Sequence, residues 1–360
     1  MKTYRIAAIP GDGIGTEVLP VGRRVIDTVA KNHSFQVEWT EFDWSCERFR
    51  EKGSMMPDDG IEQVKQFDSI YLGAVGFPGV PDHVSLWGLL IPLRRKLNLY
   101  ANVRPVRLLR GVSTPLAGRE PQEIDFVVVR ENVEGEYSEI GGRIFGDTEN
   151  ETAVQESIFT RRGTDRIMDY AFELAKSRKR RHVTSATKSN GIIHTMPFWD
   201  ERFAAAAERH PGVDTSQFHI DILTAHFVLH PDWFDVVVAS NLFGDILSDL
   251  GPAIAGSIGI APSANINPQR DYPSMFEPVH GSAPDIAGKG IANPVGAVWA
   301  AAMMMEHLGE TDVANHIEDA IEFSLQRPET RTRDLSGTAD TKACEAAILS
   351  VLNQQGAFID

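Results

Sequence analysis

Asp245 and Asp249 stand four residues apart in Asn241-Leu-Phe-Gly-Asp-Ile-Leu-Ser-Asp-Leu250. At helical pitch, residues i and i+4 share one face, so the spacing predicts two carboxylates side by side. On an isolated helix such a like-charge pair costs about 0.2–0.5 kcal/mol. The neighbours Leu242, Phe243, Ile246, Leu247 and Leu250 set this helix against apolar surroundings, where paired carboxylates call for a cation between them. The preceding run, Trp233–Ser240, reads as a buried strand. A strand feeding a helix puts the pair near the strand's carboxyl end, where open α/β sheets carry their sites.

Other residue types fit an anionic ligand. Arg94, Arg95, Arg104 and Arg107 fall within fourteen residues, and Arg130 ends the apolar run Phe126-Val-Val-Val-Arg130. Arginines in such surroundings need an anionic partner, and their planar forks bind carboxylates with two hydrogen bonds. The alternative is an internal ion pair, with Glu131 and Glu134 as candidate partners. Lys188 follows a strand directly; desolvated in a cleft, its amine would titrate closer to neutrality, whereas on an open surface it is an ordinary lysine. Asp221 interrupts the apolar, strand-like run His219–Leu223, and a third metal ligand is one explanation. Tyr137 closes the segment Arg130-Glu-Asn-Val-Glu-Gly-Glu-Tyr137.

Two further segments have the form of ligand loops. Pro10-Gly-Asp-Gly-Ile-Gly-Thr-Glu17 follows the first strand and predicts a glycine-rich turn into a helix, with Thr16 as its cap and Pro20 among the first four residues. The third glycine arrives too early for the dinucleotide fingerprint. Pro278–Gly288 is a long loop that buries little, and Asn293-Pro-Val opens a helix after it. Asp285 in that loop could accept hydrogen bonds from ribose hydroxyls and repel a 2′-phosphate, which favours NAD over NADP.

The elements that must position these groups alternate. Strand-like runs cover Ile6–Ile9, Ser69–Val75, Ile124–Val129, His182–Ala186, His219–Leu223 and Phe234–Ala239, with helical stretches such as Ala171–Ser177 and Phe198–Arg209 between them. Val295–Leu308, Asp312–Leu325 and Thr341–Asn353 read as helices, and Met303–Met305 as core filling in the first. Glu136–Thr160 predicts a projecting hairpin that wants a partner subunit to cover it.

The length of 360 residues predicts two domains. A net charge of −15 argues against nucleic-acid binding, and the basic run Arg178-Lys-Arg-Arg181 reads as a solvated helix end. No apolar run is long enough to span a membrane. The start lacks a signal-peptide pattern and only Cys46 and Cys344 are present, so the expected compartment is a reducing cytoplasm.

Gly11-Asp-Gly-Ile-Gly15, Leu93-Arg94, Asn102-Val-Arg-Pro105, Val129-Arg130-Glu131, Tyr137, Lys188-Ser-Asn190, Asp221, Asn241–Asp249 and Glu277–Asn293 together resemble the isocitrate/isopropylmalate dehydrogenase family of β-decarboxylating enzymes. The resemblance implies an α/β, non-Rossmann fold of two domains with the active site in the cleft between them. One domain would join residues 1–99 and 253–360; the other, 100–252, would hold the dimer contact and the hairpin of about 136–160. It implies Mg²⁺ or Mn²⁺ on Asp245 and Asp249, completed by Asp221 from the partner of a homodimer. Potassium is implied by the resemblance alone. Arg94, Arg104, Arg130 and Asn190 would hold a small dicarboxylate, Lys188 in trans and Asp221 would take the hydroxyl proton, and Tyr137 would protonate the enol. NAD would lie on Ile14, His280, Gly281, Ser282, Ala283, Pro284, Asp285, Ile286 and Asn293.

Within the family, Ser85-Leu-Trp-Gly88 is similar to the D-malate and tartrate branch. Trp87 falls where isopropylmalate enzymes carry a glutamate, and its indole would fill the space of a large substituent. Leu90-Ile91 is apolar where isocitrate enzymes place a hydrogen-bonding residue. The alternatives are a 3-isopropylmalate dehydrogenase, a non-catalytic relative that only binds cofactor, and, apart from the resemblance, a metal-dependent hydrolase.

Overall fold

The computed structural model describes residues 2–356. The chain opens with β1 (Lys2–Gly11), α1 (Gly15–Ala30), β2 (Phe35–Glu41), α2 (Cys46–Lys52), α3 (Gly60–Val64), β3 (Ser69–Ala74), α4 (Asp82–Ser85) and α5 (Ile91–Lys96). There follow β4 (Ala101–Arg107), β5 (Asp125–Glu131), β6 (Gly141–Ile144), β7 (Thr152–Gln155), α6 (Arg161–Ser177), β8 (His182–Thr187), α7 (Thr195–Arg209), β9 (Asp214–His219), α8 (Ile220–Leu229), β10 (Val236–Ala239) and α9 (Asn241–Ile254). β11 (Pro262–Ile266), β12 (Ser274–Pro278), α10 (Val295–His307), α11 (Thr311–Ser324) and α12 (Thr341–Gly356) complete it.

Ten strands form one sheet in the order β2-β1-β3-β12-β11-β4-β5-β10-β8-β9. Strands from residues 1–99 and 253–360 occupy one half of that order and strands from 100–252 the other. The halves meet where β11 pairs antiparallel with β4. Runs such as Val236–Ala239 and Ser69–Ala74 are buried throughout, as expected of strands covered on both faces. A continuous apolar core passes from Ile6 and Leu19 through Val103 and Val129 to Val238 and Met305; a second, around Trp44, Leu89, Leu93 and Met275, underlies α5. Met304 and Met305 are core residues. β5, β10 and β8 run parallel, so their carboxyl ends lie together.

β6 and β7 form the expected hairpin, and it stands out from the body with Ile140, Ile144, Phe145 and Val154 exposed. Other expectations are corrected. The run His219–Leu223 is not one strand: β9 ends at His219 and α8 begins at Ile220. Leu223 and Phe227 are its buried stripe, and so short an apolar run does not distinguish period 2 from period 3.6. Thr16 does not cap α1. The helix starts at Gly15, Thr16 Oγ1 donates back to the Gly13 carbonyl at 2.9 Å, and Pro20 lies inside the helix beyond its first four residues. The basic run is anchored rather than simply solvated: Arg178 bridges Asp235 at 2.5 Å and Asp125 at 3.0 Å, joining α6 to β5 and the start of β10. Among the described residues no helix is long and apolar enough to cross a membrane.

Candidate active site

α9 carries the aspartate pair, and its entry is prepared by Glu136. One carboxylate oxygen of Glu136 accepts from the Ser240 hydroxyl at 2.7 Å and the other from the Leu242 N–H at 3.0 Å, placing an anion on the free donors of the helix start. Arg130, at the end of β5, then reads one face of that helix. Its Nη2 and Nε donate to Asn241 Oδ1 at 2.7 and 3.1 Å, and Nη1 donates to Asp245 Oδ1. Gly244 makes this approach possible, since a Cβ there would stand 2.6 Å from Arg130 side-chain carbons. Glu131 and Glu134 are therefore not the partners of Arg130. Glu131 faces Arg166 and Glu134 binds Thr160, because strand alternation turns Glu131 to the opposite face.

Arg104, from the middle of β4, reaches the same face one turn on. Its Nη1 donates to Ser248 Oγ at 2.7 Å and lies 3.8 Å from Asp245 and 3.9 Å from Asp249. Arg94, at the end of α5, pairs with Glu277 at 3.1 Å. All three guanidiniums are buried, and Nε of Arg94 and of Arg104 has no protein partner. Tyr137 Oη donates to Asp245 Oδ2 at 2.8 Å, and its ring centroid lies 5.4 Å from the Arg130 guanidinium carbon.

This crowd of charge sets the titration of its members. Burial alone would raise the Asp245 carboxyl, but Arg130 and Arg104 outweigh it and hold the group below the ordinary range. Asp249, farther from Arg130, is raised by burial. Arg130 is lowered to about 10 by burial and by its neighbouring arginines, against the pull of Asp245. Burial, then Asp245, raises the Tyr137 phenol, so it holds its proton at neutral pH.

Lys188 and Asp221 lie elsewhere in the chain. Lys188 follows β8, Asp221 sits exposed in the first turn of α8, and they pair with each other at 2.9 Å. The hydrogen bond from Lys188 outweighs a smaller effect of burial and holds the Asp221 carboxyl below the ordinary range. Asp221 is not brought to Asp245 and Asp249 within one chain, and among the described residues no three metal-type side chains cluster. Asn190 is exposed on the same end of β8. Trp87 lies in a π-helical turn, Leu86–Leu90, half-buried, with the Arg95 guanidinium 4.9 Å from its ring centroid. Arg95 in turn binds the Tyr137 carbonyl and Glu139. Leu90 packs on the core beneath α5.

The glycine-rich turn and the loop after β12 form one unit. Ile14 N–H donates to the Ser282 carbonyl at 2.8 Å, and Gly13, at φ +55°, leaves no room for a Cβ, which would meet that carbonyl oxygen at 2.1 Å. Ala283 and Ile286 pack against Ile14 and Val18. Gly281, Pro284 and Asp285 are exposed on the loop, and Nε2 of His280 is shielded from solvent without a partner. Asn293, just before α10, accepts from the Val295 N–H at 3.0 Å and donates to Asp334 at 2.9 Å.

Sequence reasoning missed Glu277, Ser248 and the role of Asn241. A glutamate inside the buried strand Ser274-Met-Phe-Glu-Pro278 was the available signal for the first.

A model of the isocitrate/isopropylmalate dehydrogenase family matches residues 5–351. The chain is 57% identical over 359 residues to the decarboxylating D-malate dehydrogenase of Escherichia coli (strain K12), covering 98% of this chain and 99% of that protein. It is 57% identical over 362 residues to the tartrate dehydrogenase/decarboxylase of Pseudomonas putida, covering 97% and 98%. The crystal structure of isocitrate dehydrogenase from Methylococcus capsulatus superposes with a TM-score of 0.89 at 34% identity, over 98% of this chain and 100% of that one.

Proposed function

The chain belongs to the isocitrate/isopropylmalate dehydrogenase family, and we propose that it oxidises and decarboxylates a small (R)-2-hydroxy dicarboxylate, D-malate or a tartrate, with NAD and Mg²⁺ or Mn²⁺. The observation that carries this reading is the trio Arg94, Arg104 and Arg130. Three buried guanidiniums share Glu277 and Asp245, with Asp249 at the rim, and two of them keep an unpartnered Nε. A ligand with two carboxylates supplies the missing negative charge and the missing acceptors.

The donor set suits a hard divalent ion. Asp245 and Asp249 present carboxylate oxygens on one helix face, and the Asp249 side chain is 63% exposed with its nearest cation 3.9 Å away. Asp221 would complete the set from the partner subunit. A homodimer is supported by the projecting hairpin and by the exposed apolar residues Ile222, Val228, Leu242 and Ile246 of α8 and α9. The loop after β12 suits a dinucleotide, through the close approach at Gly13 and the free Nε2 of His280. When bound, a divalent ion held by Asp245 and Asp249 would supply positive charge to the substrate hydroxyl, and NAD would be the hydride acceptor.

This chain's own groups do the rest. The arginines orient the carboxylates, and Lys188 of the partner takes the hydroxyl proton as hydride leaves C2 for NAD, while it passes one of its own ammonium protons to the paired Asp221 carboxylate or to water. Loss of CO₂ from the β-keto acid puts the electron pair on carbon, and the Tyr137 phenol, protonated and held by Asp245, delivers a proton there. Tyr137→Phe should slow decarboxylation of added oxaloacetate by about tenfold or more, while hydride transfer falls less. Equal loss in both half-reactions would contradict that role. Asp285, exposed and acidic at the ribose end, should make NADP at least about a hundredfold poorer than NAD in kcat/KM. Asp285→Asn should narrow the gap, and an unchanged ratio would count against the assignment.

A panel of D-malate, the tartrates, 3-isopropylmalate and isocitrate, each with Mn²⁺, tests the function. NADH formation with D-malate or a tartrate and poor use of the larger substrates is expected. Preference for 3-isopropylmalate would overturn the substrate assignment, and NAD binding with no turnover of any of them would point to a non-catalytic relative.

A further inference from the structure

At the seam between the halves of the sheet, β4 and β11 are joined by buried amides. Asn102 and Asn265 are direct cross-strand partners, and neither is exposed to solvent. The Asn265 side chain uses every hydrogen-bonding position it has. Oδ1 accepts from Nδ2 of Asn102 at 3.0 Å and from Nδ2 of Asn132 at 2.9 Å. Nδ2 donates to Glu277 Oε1 at 2.8 Å and, more weakly, to the Met275 carbonyl at 3.4 Å. That same Glu277 oxygen accepts from Arg94 Nη2 at 3.1 Å.

The two ends of this chain of bonds lie in different halves. Asn102 and Asn132 belong to the half that carries Arg104, Arg130, Tyr137 and Asp245. Asn132 also donates to the Leu99 carbonyl at 3.0 Å, where the chain passes from one half to the other. Glu277 and Arg94 belong to the opposite half. One amide therefore links the frame of one half to the carboxylate that orients an arginine of the other.

We propose that Asn265 is a positioning residue for the substrate: it touches no ligand, but fixes the Glu277 carboxylate so that Arg94 presents its unpartnered Nε edge to a substrate carboxylate. This rests on the reading of Arg94 given above. The position demands an amide. It must accept from two N–H donors on one side and donate to a carboxylate on the other, which only Asn does at this length. Asp keeps the shape and the acceptor but opposes a second carboxylate to Glu277. Ala removes all four bonds; Asn102 keeps Ser263, Asn132 keeps the Leu99 carbonyl and Glu277 keeps Arg94, but the carboxylate loses the amide that fixes it.

The test places Asn265→Asp and Asn265→Ala in the native and the Arg94→Lys backgrounds. Steady-state kinetics with the hydroxy acid that the native enzyme turns over are read beside NAD affinity. In the native background the substrate KM should rise about tenfold or more, kcat should change less than about threefold, and NAD affinity should hold. In the Arg94→Lys background the further rise should shrink below about twofold, because the residue it acts through is gone. The same fold-rise in both backgrounds, a loss confined to kcat, or unchanged KM would overturn the proposal. If Asn265→Ala does not fold, the isosteric Asp variant decides alone. If Arg94→Lys itself leaves KM unchanged, the substrate site has been misread; a normal Arg94→Lys penalty with a silent Asn265→Asp defeats this inference only.

Discussion

Asp245→Asn should lower kcat/KM for the hydroxy acid by about a thousandfold or more, with no rescue by added Mn²⁺. The carboxylate has three neighbours in the chain: Arg130, Arg104 and the Tyr137 hydroxyl. Amide replacement keeps an acceptor for Tyr137 but removes the charge that a divalent ion needs, and about 4 kcal/mol of lost stabilisation of the reacting groups is about a thousandfold in rate. Stability should change little, by about 1 kcal/mol. The Asp245 side chain is 36% exposed, which screens its ion pair, and Asn241 still holds Arg130 through two hydrogen bonds. Thermal unfolding and NAD binding are the controls. A folded Asp245→Asn enzyme within about tenfold of native activity would remove the cation from the account.

Arg130→Met should be the most damaging of the arginine changes, because its side chain is 2% exposed and holds Asn241 and Asp245 as well as the proposed substrate carboxylate. Removing one member of a buried charged pair costs about 2–5 kcal/mol, so kcat/KM should fall about a hundredfold or more, mostly through KM, and the melting temperature should drop. Arg130→Lys should not rescue it. A single ammonium cannot span Asn241 Oδ1, Asp245 Oδ1 and a substrate carboxylate as the planar fork does. A lysine variant within about threefold of native would show that charge alone suffices.

What the sequence made legible follows from range. Asp245 and Asp249 are four residues apart, so helical pitch alone joins them, and the apolar runs of β3, β5 and β10 identify buried strands without tertiary knowledge. The partners of Arg130 were not legible, because Asn241 and Asp245 lie more than a hundred positions away and only the packing of α9 on β5 brings them near. Glu131 and Glu134 were nearer in sequence but are turned elsewhere. Asp221 was misplaced in a strand because His219–Leu223 is apolar at both periods until Phe227 extends the helical stripe. The Asn102–Asn132–Asn265–Glu277 cluster draws on four separate segments of the sequence, so no local pattern brings its members together. The stacking of Arg95 on Trp87 likewise gives the indole a neighbour that no local rule supplies.

The central claim is that one chain holds only part of its active site: Tyr137 and the Asp245–Asp249 pair on one subunit, Lys188 and Asp221 from the other. Mixing Lys188→Met and Asp245→Asn proteins, each inactive alone, after unfolding and refolding together tests it most directly. Random pairing gives half mixed dimers, each with one site that combines native Asp245 and native Lys188, so activity should return to about a quarter of the native value. If the two residues act within one chain, no subunit in any pairing is intact, and the refolded mixture would stay as inactive as its parents.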